Sequence, residues 1–375
     1  MEFTIPIRDP IAFRDLAAQD ASLRTELRAA VGAVLTSGKY VGGAQCDALE
    51  VALSEALGID HVIVVNSGTD ALVLALKAAG IGTGDEVIVP SYTFIATASA
   101  VSLAGAVPVF VDSEPGRFTM DPAAVSRALT ARTRAVIAVH IFGEPADLDR
   151  LELVCERHQL LLIEDVAQAF GARYRNVAAG ARGRLSALSF YPTKNLGCAG
   201  DGGAVATNDA GLAALVRSFS NHGRSDHATH VRLGLNSRLD EVQAAMLRVK
   251  LPHVARWNEE RRARAAAYRD GLLGTGVELP LLPPEHVRHV YNQFMVSHPE
   301  RDALREHLAS AGIPTALYYR PCHLQPLYAE RALQSLPVAE AWSRTSLALP
   351  MYPELPLASV ARICAEVRAF TPPPP

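Results

Sequence analysis

The chain has 375 residues, a formal net charge of -3, a hydrophobic content of 49% and a charged content of 20%. That length exceeds what one hydrophobic core usually fills, so two domains are expected, and the apolar content excludes disorder apart from the closing Pro372 to Pro375 run. A near-neutral, unclustered charge balance argues against nucleic acid or an anionic membrane surface as the main partner. The opening MEFTIPIRDP mixes acid and base without an apolar stretch, so no secretory signal is expected. The five cysteines (Cys46, Cys155, Cys198, Cys322, Cys364) have no short repeat spacing and an odd count, which fits reduced thiols in a cytoplasmic protein rather than a disulfide scaffold or zinc site.

In chain order, short apolar runs recur at His61-VIVV-Asn66, Glu86-VIVP, Val107-PVFV-Asp112, Ala135-VIAV-His140, Leu160-LLI-Glu164-Asp165, Ala187-LSF-Tyr191 and Gly203-AVAT. Helix-like segments at Asp70 to Ala79, Asp121 to Ala131 and Asp147 to His158 separate several of them. Strands buried on both faces and alternating with helices predict an α/β sheet, largely parallel. Val87 to Val111 carries no charge, but its prolines, Gly105 and hydroxyl side chains suit strand, loop, helix and strand in a globular core, not a membrane span. After Asp240 comes an Ala, Arg and Glu-rich helical stretch, Glu241 to Leu273, broken near Pro252. A loop at Leu279 to Glu285, a strand at Asn292 to Ser297 and a helix at Arg301 to Ala311 follow. The expected division is a large domain over residues 1–250 and a smaller α/β domain over 251–375.

Ligands of parallel α/β sheets bind beyond the carboxyl ends of the strands, so those residues carry the functional signal. The first run ends in Asn66-Ser67-Gly68-Thr69-Asp70 at a helix start, which suits either a phosphate on free amides or ordinary N-capping by Ser67 or Thr69. The fifth ends in Glu164-Asp165, where Asp165 is either a solvated strand end or a carboxylate that holds a proton on a pyridinium nitrogen. The sixth is followed by Tyr191-Pro192-Thr193-Lys194-Asn195-Leu196-Gly197. Only Lys39, Lys77, Lys194 and Lys250 are lysines in a chain that otherwise writes its 36 basic residues as arginine. Arginine neither loses its proton nor forms an imine, whereas a desolvated lysine does both. Lys77 and Lys250 fall on helices and Lys39 in a turn, so Lys194 is the candidate nucleophile.

A phosphate cradle, an acid for a ring nitrogen and an imine-forming lysine together specify pyridoxal 5′-phosphate. The ordered motifs Asn66 to Leu72, Pro90-Ser-Tyr-Thr-Phe94, Glu164 to Gln168, Ser189 to Gly197, Gly200-Asp-Gly-Gly203 and Asn236 to Ala245 resemble the DegT/DnrJ-type sugar aminotransferases, which are fold type I, aspartate aminotransferase-like enzymes. The resemblance runs from about Val41 to the Leu349-Pro-Met segment. It implies a seven-stranded, mostly parallel sheet sandwiched by helices, a smaller C-terminal domain, and ping-pong transamination of a keto sugar by an amino acid, with L-glutamate the family expectation.

By position the resemblance implies that Lys194 holds the cofactor and moves the proton between carbons, and that Asp165 pairs with the ring nitrogen. Phe94 would stack on the ring and Gln168 reach its phenolic oxygen. Gly68, Thr69 and Ser189 would hold the phosphate, and Asn236 would cross a two-fold interface to the neighbouring subunit's phosphate. A lysine at 194 also argues against the family's dehydratase branch. The turns between Gly183 and Gly203 are similar to those of members acting at carbon 3 of a dTDP- or UDP-linked sugar, ahead of carbon 4. Substrate contacts are expected from Tyr191, His222, Arg224, Tyr319 and His323. The last two lie in Tyr318 to Gln325, similar to the family's Tyr-Pro-x-Pro-x-His-Leu-Gln except that Arg320 replaces the first Pro or the spacing is one residue short. His222, His227 and His230 lack the usual spacing of a metal site, and no metal is expected. The competing functions are amination of a non-nucleotide cyclic ketone, of cyclitol or aminohydroxybenzoate type, and a non-catalytic regulator that binds the cofactor. A dinucleotide dehydrogenase would need a Gly-x-Gly-x-x-Gly after an early strand, which is absent.

Overall fold

A computed structural model describes residues 11–226, 228–330 and 334–371. The first ten residues, His227 and the Pro372 to Pro375 run lie outside the described residues. Seven strands form the main sheet: β1 (His61–Val65), β2 (Glu86–Pro90), β3 (Val107–Val111), β4 (Thr133–Val139), β5 (Leu161–Asp165), β6 (Leu185–Ser189) and β7 (Gly203–Thr207). Their spatial order is β1-β7-β6-β5-β4-β2-β3. Neighbours from β6 through β5, β4 and β2 to β3 are parallel, while β7 runs antiparallel to both β6 and β1. The Val- and Ile-rich runs are therefore sheet interior, as their burial on both faces requires. One large apolar cluster packs on one face around Leu72, Val89, Ile137 and Ile163, and another on the opposite face around Leu49, Leu188, Phe190 and Leu247.

Boundaries moved where local chemistry overrode the pattern. β6 stops at Ser189, two residues before the end of its apolar run: the Phe190 amide still bonds the Gly202 carbonyl in register at 2.8 Å, but the Phe190 carbonyl is taken by the Cys198 amide of the following turn at 2.8 Å. The expected helix from Asp121 covers only Pro122–Arg127, with Asp121 as its N-cap accepting from the Ala123 and Ala124 amides. The stretch after Asp240 divides at Pro252 into Glu241–Lys250 and Val254–Leu272, joined by a single tight turn. Three helices before the sheet, Leu16–Ala21, Arg24–Ser37 and Ala44–Leu57, had no counterpart in the strand-and-helix pattern.

Towards the C-terminus β8 (Phe294–Ser297) and β9 (Ser346–Leu349) form a two-stranded antiparallel sheet. Helices Val254–Leu272, Arg301–Ser310 and Leu357–Ala369 close over it around a separate buried cluster that includes Tyr268, Leu304 and Ile363, with Ile11 from the chain's start. Among the described residues no helix is long and apolar enough to cross a membrane.

Candidate active site

Beyond the carboxyl ends of β1, β2, β5 and β6 lies a cavity of about 640 Å³. Gly68, Thr69, Phe94, Asp165, Gln168, Ser189, Tyr191, Lys194 and Tyr319 all line it. Residues from five separate stretches of the sequence thus meet because each stretch ends a strand of one sheet or abuts those ends.

Alternation along β5 decides which member of Glu164-Asp165 faces the cavity, since adjacent strand residues point to opposite faces. Glu164 points away and is fully buried. It accepts from the Gly180 amide at 2.8 Å, the Gly183 amide at 2.6 Å and the His140 Nε2 at 2.8 Å. Burial opposes its ionisation, but the His140 bond and those amides hold its carboxyl below the usual range. Asp165 points into the cavity, where Thr97 Oγ1 donates to its Oδ2 at 2.9 Å and the Ala167 amide to its Oδ1 at 3.1 Å. Burial raises the Asp165 carboxyl above its ordinary value despite those bonds and the nearby Lys194. A carboxylate so placed gains from a cationic partner delivered into the cavity.

Lys194 sits in the turn that follows β6. Its amide bonds the Tyr191 carbonyl at 2.8 Å. The turn closes only because residue 197 is glycine: a Cβ there would stand 2.4 Å from the Pro192 carbonyl oxygen. Burial lowers the Lys194 amine to about 8, against an opposing pull from Asp165 and with a further push from Arg14. The other lysines differ in setting: Lys39 is exposed, Lys77 lies near the end of a helix, and Lys250 pairs with Asp20 at 2.7 Å.

The helix Gly68–Ala78 aims its N-terminus at the cavity, capped by Ser67 Oγ, which accepts from the Asp70 amide at 3.1 Å. The Gly68 and Thr69 amides have no protein acceptor among the described residues. At Gly68 an added Cβ would lie 2.6 Å from Ser189 Cβ, so only glycine lets the helix start meet β6. Free amides, a helix dipole and two hydroxyls at this end suit a phosphate. The cavity thus gathers an anion site, a buried carboxylate and a desolvated amine. These features fit pyridoxal 5′-phosphate.

Gln168 is held at both ends: its Oε1 accepts from the Phe142 amide at 2.7 Å and its Nε2 donates to the Tyr319 hydroxyl at 2.8 Å. Phe94 is 53% exposed beside the cavity, with its ring 5.8 Å from that of Tyr319. Counted back from His323, the family's first Pro falls on Tyr319 rather than on Arg320, which corrects the reading of that segment. The phenol therefore stands where the pattern has a proline.

Four of the expected residues lie outside the cavity. His323 is 2% exposed, with its Nδ1 2.5 Å from Ser91 Oγ and its Nε2 3.5 Å from Glu340, so it braces β2 rather than reaching a ligand. His222, Arg224 and Asn236 belong to a hairpin-like excursion held by bridges Asn221 to Asn236 and Arg224 to His230, with His222 and Asn236 exposed. Among the described residues no cluster of three or more His, Cys, Asp or Glu is placed to hold a metal ion.

Arg14, Thr97 and His140 were not anticipated. Thr97 lies in the helix Ala96–Leu103 that follows β2, four residues after Thr93 in the preceding loop, and the two hydroxyls are 3.3 Å apart. Arg14 stood in no motif, and His140 closed the fourth apolar run without being singled out.

The DegT/DnrJ/EryC1/StrS aminotransferase family profile matches residues 21–368. The chain belongs to this family. This aminotransferase is 47% identical over 364 residues to a dTDP-3-amino-3,4,6-trideoxy-alpha-D-glucose transaminase of Streptomyces venezuelae, covering 96% of each chain. It is 44% identical over 355 residues to a UDP-N-acetyl-3-dehydro-alpha-D-glucosamine 3-aminotransferase of Acidithiobacillus ferrooxidans, covering 94% of this chain and 96% of the relative. The crystal structure of S. venezuelae DesV superposes with a TM-score of 0.94 at 46% identity, covering 96% of this chain and 98% of the other. That of NtdA from Bacillus subtilis with PMP bound gives 0.88 at 29%, covering 97% and 86%. The protein is a fold type I, pyridoxal phosphate-dependent aminotransferase. When bound, the cofactor supplies the electron sink that lets an amino group leave one carbon and join another.

Proposed function

We propose that the enzyme aminates carbon 3 of a dTDP- or UDP-linked keto sugar, with L-glutamate as the amino donor. The identities of 47% and 44% to two relatives whose names place the amine at carbon 3 carry this reading. Lys194 would hold the cofactor through its aldehyde and, with its amine freed, would serve as the base for the donor's α-proton and as the acid that supplies a proton to the ketone carbon. An amine near pH 8 is free often enough at physiological pH to accept that proton and acidic enough to return it. Asp165, oriented by Thr97, keeps the ring nitrogen protonated. Gly68, Thr69 and Ser189 bind the phosphate, Phe94 covers the ring and Gln168 meets its phenolic oxygen, with Tyr191 and Tyr319 on the substrate side.

The functional unit is a homodimer in the cytoplasm, with active sites completed across the interface. Support comes from the excursion that carries His222, Arg224 and Asn236: Leu233 on it is 91% exposed and Val231 54%, an apolar display that gains from being covered. His222, Arg224 and Asn236 then serve the partner's site, and residues 251–375 form the smaller domain.

The test is incubation of purified enzyme with L-glutamate and, separately, dTDP- and UDP-linked 3-keto and 4-keto hexoses. Mass spectrometry and proton NMR of the products locate the amine. Amination of the 4-keto compounds alone would overturn the carbon 3 assignment, and amination of only free cyclic ketones would overturn the nucleotide-sugar reading.

A further inference from the structure

Arg14 precedes the first helix, yet its guanidinium reaches across the fold to the cavity. Its Nη1 donates to the carbonyl of Thr193 at 2.5 Å and its Nη2 to the carbonyl of Asn292 at 3.4 Å. Thr193 is the residue immediately before Lys194, and the Arg14 charge bears on the Lys194 amine. No carboxylate lies within ion-pair distance of Arg14 among the described residues; the phenols of Tyr318, Tyr319 and Tyr191 and the cations Lys194 and Arg261 are the groups coupled to it. A half-buried guanidinium without a carboxylate partner retains unused N–H donors, and these open into the same cavity as Lys194.

From this placement we infer that Arg14 binds the α-carboxylate of the amino-acid donor. The inference rests on the transamination reading above. In an α-amino acid the carboxylate is bonded directly to the carbon that loses its proton to Lys194, so its receptor must stand beside that lysine. A sugar nucleotide's phosphates are several bonds from its ketone carbon and need a cation farther out. A ping-pong site also holds a carboxylate in one half-reaction and sugar hydroxyls in the other. Carbonyl bonds to Thr193 and Asn292 keep the guanidinium aimed in both, and its fork geometry matches a carboxylate.

The two half-reactions separate this role from a structural one. Holoenzyme is mixed with L-glutamate, or with 4-aminobutyrate, which has no α-carboxylate, and the cofactor's absorbance change is followed under single turnover. The aminated enzyme is then reacted with the nucleotide-linked keto sugar. Arg14→Gln is expected to slow the L-glutamate half-reaction about a hundredfold more than the 4-aminobutyrate and sugar half-reactions, which share whatever the lost charge does to the Lys194 amine. Arg14→Lys, which keeps the charge without the fork, is expected to fall between, and it serves as the test if the Gln variant does not fold. An unchanged L-glutamate rate, or an equal loss with the amine lacking the carboxylate, overturns the inference; so does an equal loss in the sugar half-reaction, which would place Arg14 on the diphosphate. If wild-type enzyme reacts with L-glutamate but with no nucleotide-linked ketone, the proposed substrate falls while the Arg14 result stands.

Discussion

Thr97 donates its hydroxyl to Asp165 across 2.9 Å, and that bond fixes which way a fully enclosed carboxylate faces. Burial raises the Asp165 carboxyl, so the sign of its linkage is set: its favourable contribution to the cofactor-free protein is complete below the unfolded value of 3.8 and is lost as pH rises through the folded value. At neutral pH the cofactor-free enzyme therefore carries a cost that a cation delivered beside Asp165, as the proposed ring nitrogen would be, offsets.

Asp165→Asn removes that cost and the ring's counter-charge together. The cofactor-free variant is expected to melt at or above the wild-type temperature at pH 7.5, while the rise in melting temperature on adding cofactor shrinks and kcat falls by about a hundredfold or more. Differential scanning calorimetry with and without cofactor, alongside steady-state rates, checks this. A variant whose cofactor-free form is several degrees less stable would show that Asp165 is a structural residue first.

The Lys194 amine, lowered by burial to about 8, has a pH signature of its own. Only the neutral amine attacks the cofactor aldehyde. The rate of cofactor uptake by stripped enzyme is expected to rise about fivefold between pH 7 and pH 8 and less than about twofold between pH 8 and pH 9. An amine at its ordinary value would instead give about tenfold for each step. Stopped-flow absorbance reads the difference, and Lys194→Ala is expected to show no such covalent phase and no turnover.

Much of this cavity was readable because its lining comes from strand ends, and strand ends are marked by a change from Val and Ile to small or polar residues. Lys194, Asp165 and Gly68 each stood at such a change. Position relative to the sheet does not tell a cavity residue from a brace, however. His323 sits in a recognisable motif but is committed to Ser91 and Glu340. Arg14 could not be read at all, since what places it is a contact with Thr193, 179 residues away. Nor did the pattern of apolar runs distinguish the antiparallel β7, because a strand covered on both faces reads the same in either direction.

Gly68→Ala offers a steric test of the phosphate end. The new methyl would stand 2.6 Å from Ser189 Cβ, so the helix start or β6 must move. Cofactor affinity is expected to fall at least tenfold, with about 1–3 kcal/mol lost from the stability of the protein. Gly32→Ala is the matched control: nothing lies within 4 Å of its added methyl, and in the helix Arg24–Ser37 it is expected to gain about 0.5–1 kcal/mol. Fluorescence titration of cofactor and thermal melts compare the pair.

The proposal that active sites are shared between subunits makes a prediction that a site built from one chain does not. If Asn236 acts on the partner's phosphate, Lys194→Ala and Asn236→Ala are defects in different halves of each site. Alone, Lys194→Ala is expected to be inactive and Asn236→Ala to bind cofactor at least tenfold more weakly. When the two are mixed and allowed to exchange subunits, half of the dimers become hybrids, and each hybrid has one site with both residues intact. Activity at limiting cofactor should then recover to about a quarter of the wild-type value per site. Recovery requires exchange, so chemically crosslinking each homodimer before mixing should abolish it. Without recovery after demonstrated exchange, Asn236 would be assigned to its own chain, and the exposed Leu233 and Val231 would need another explanation.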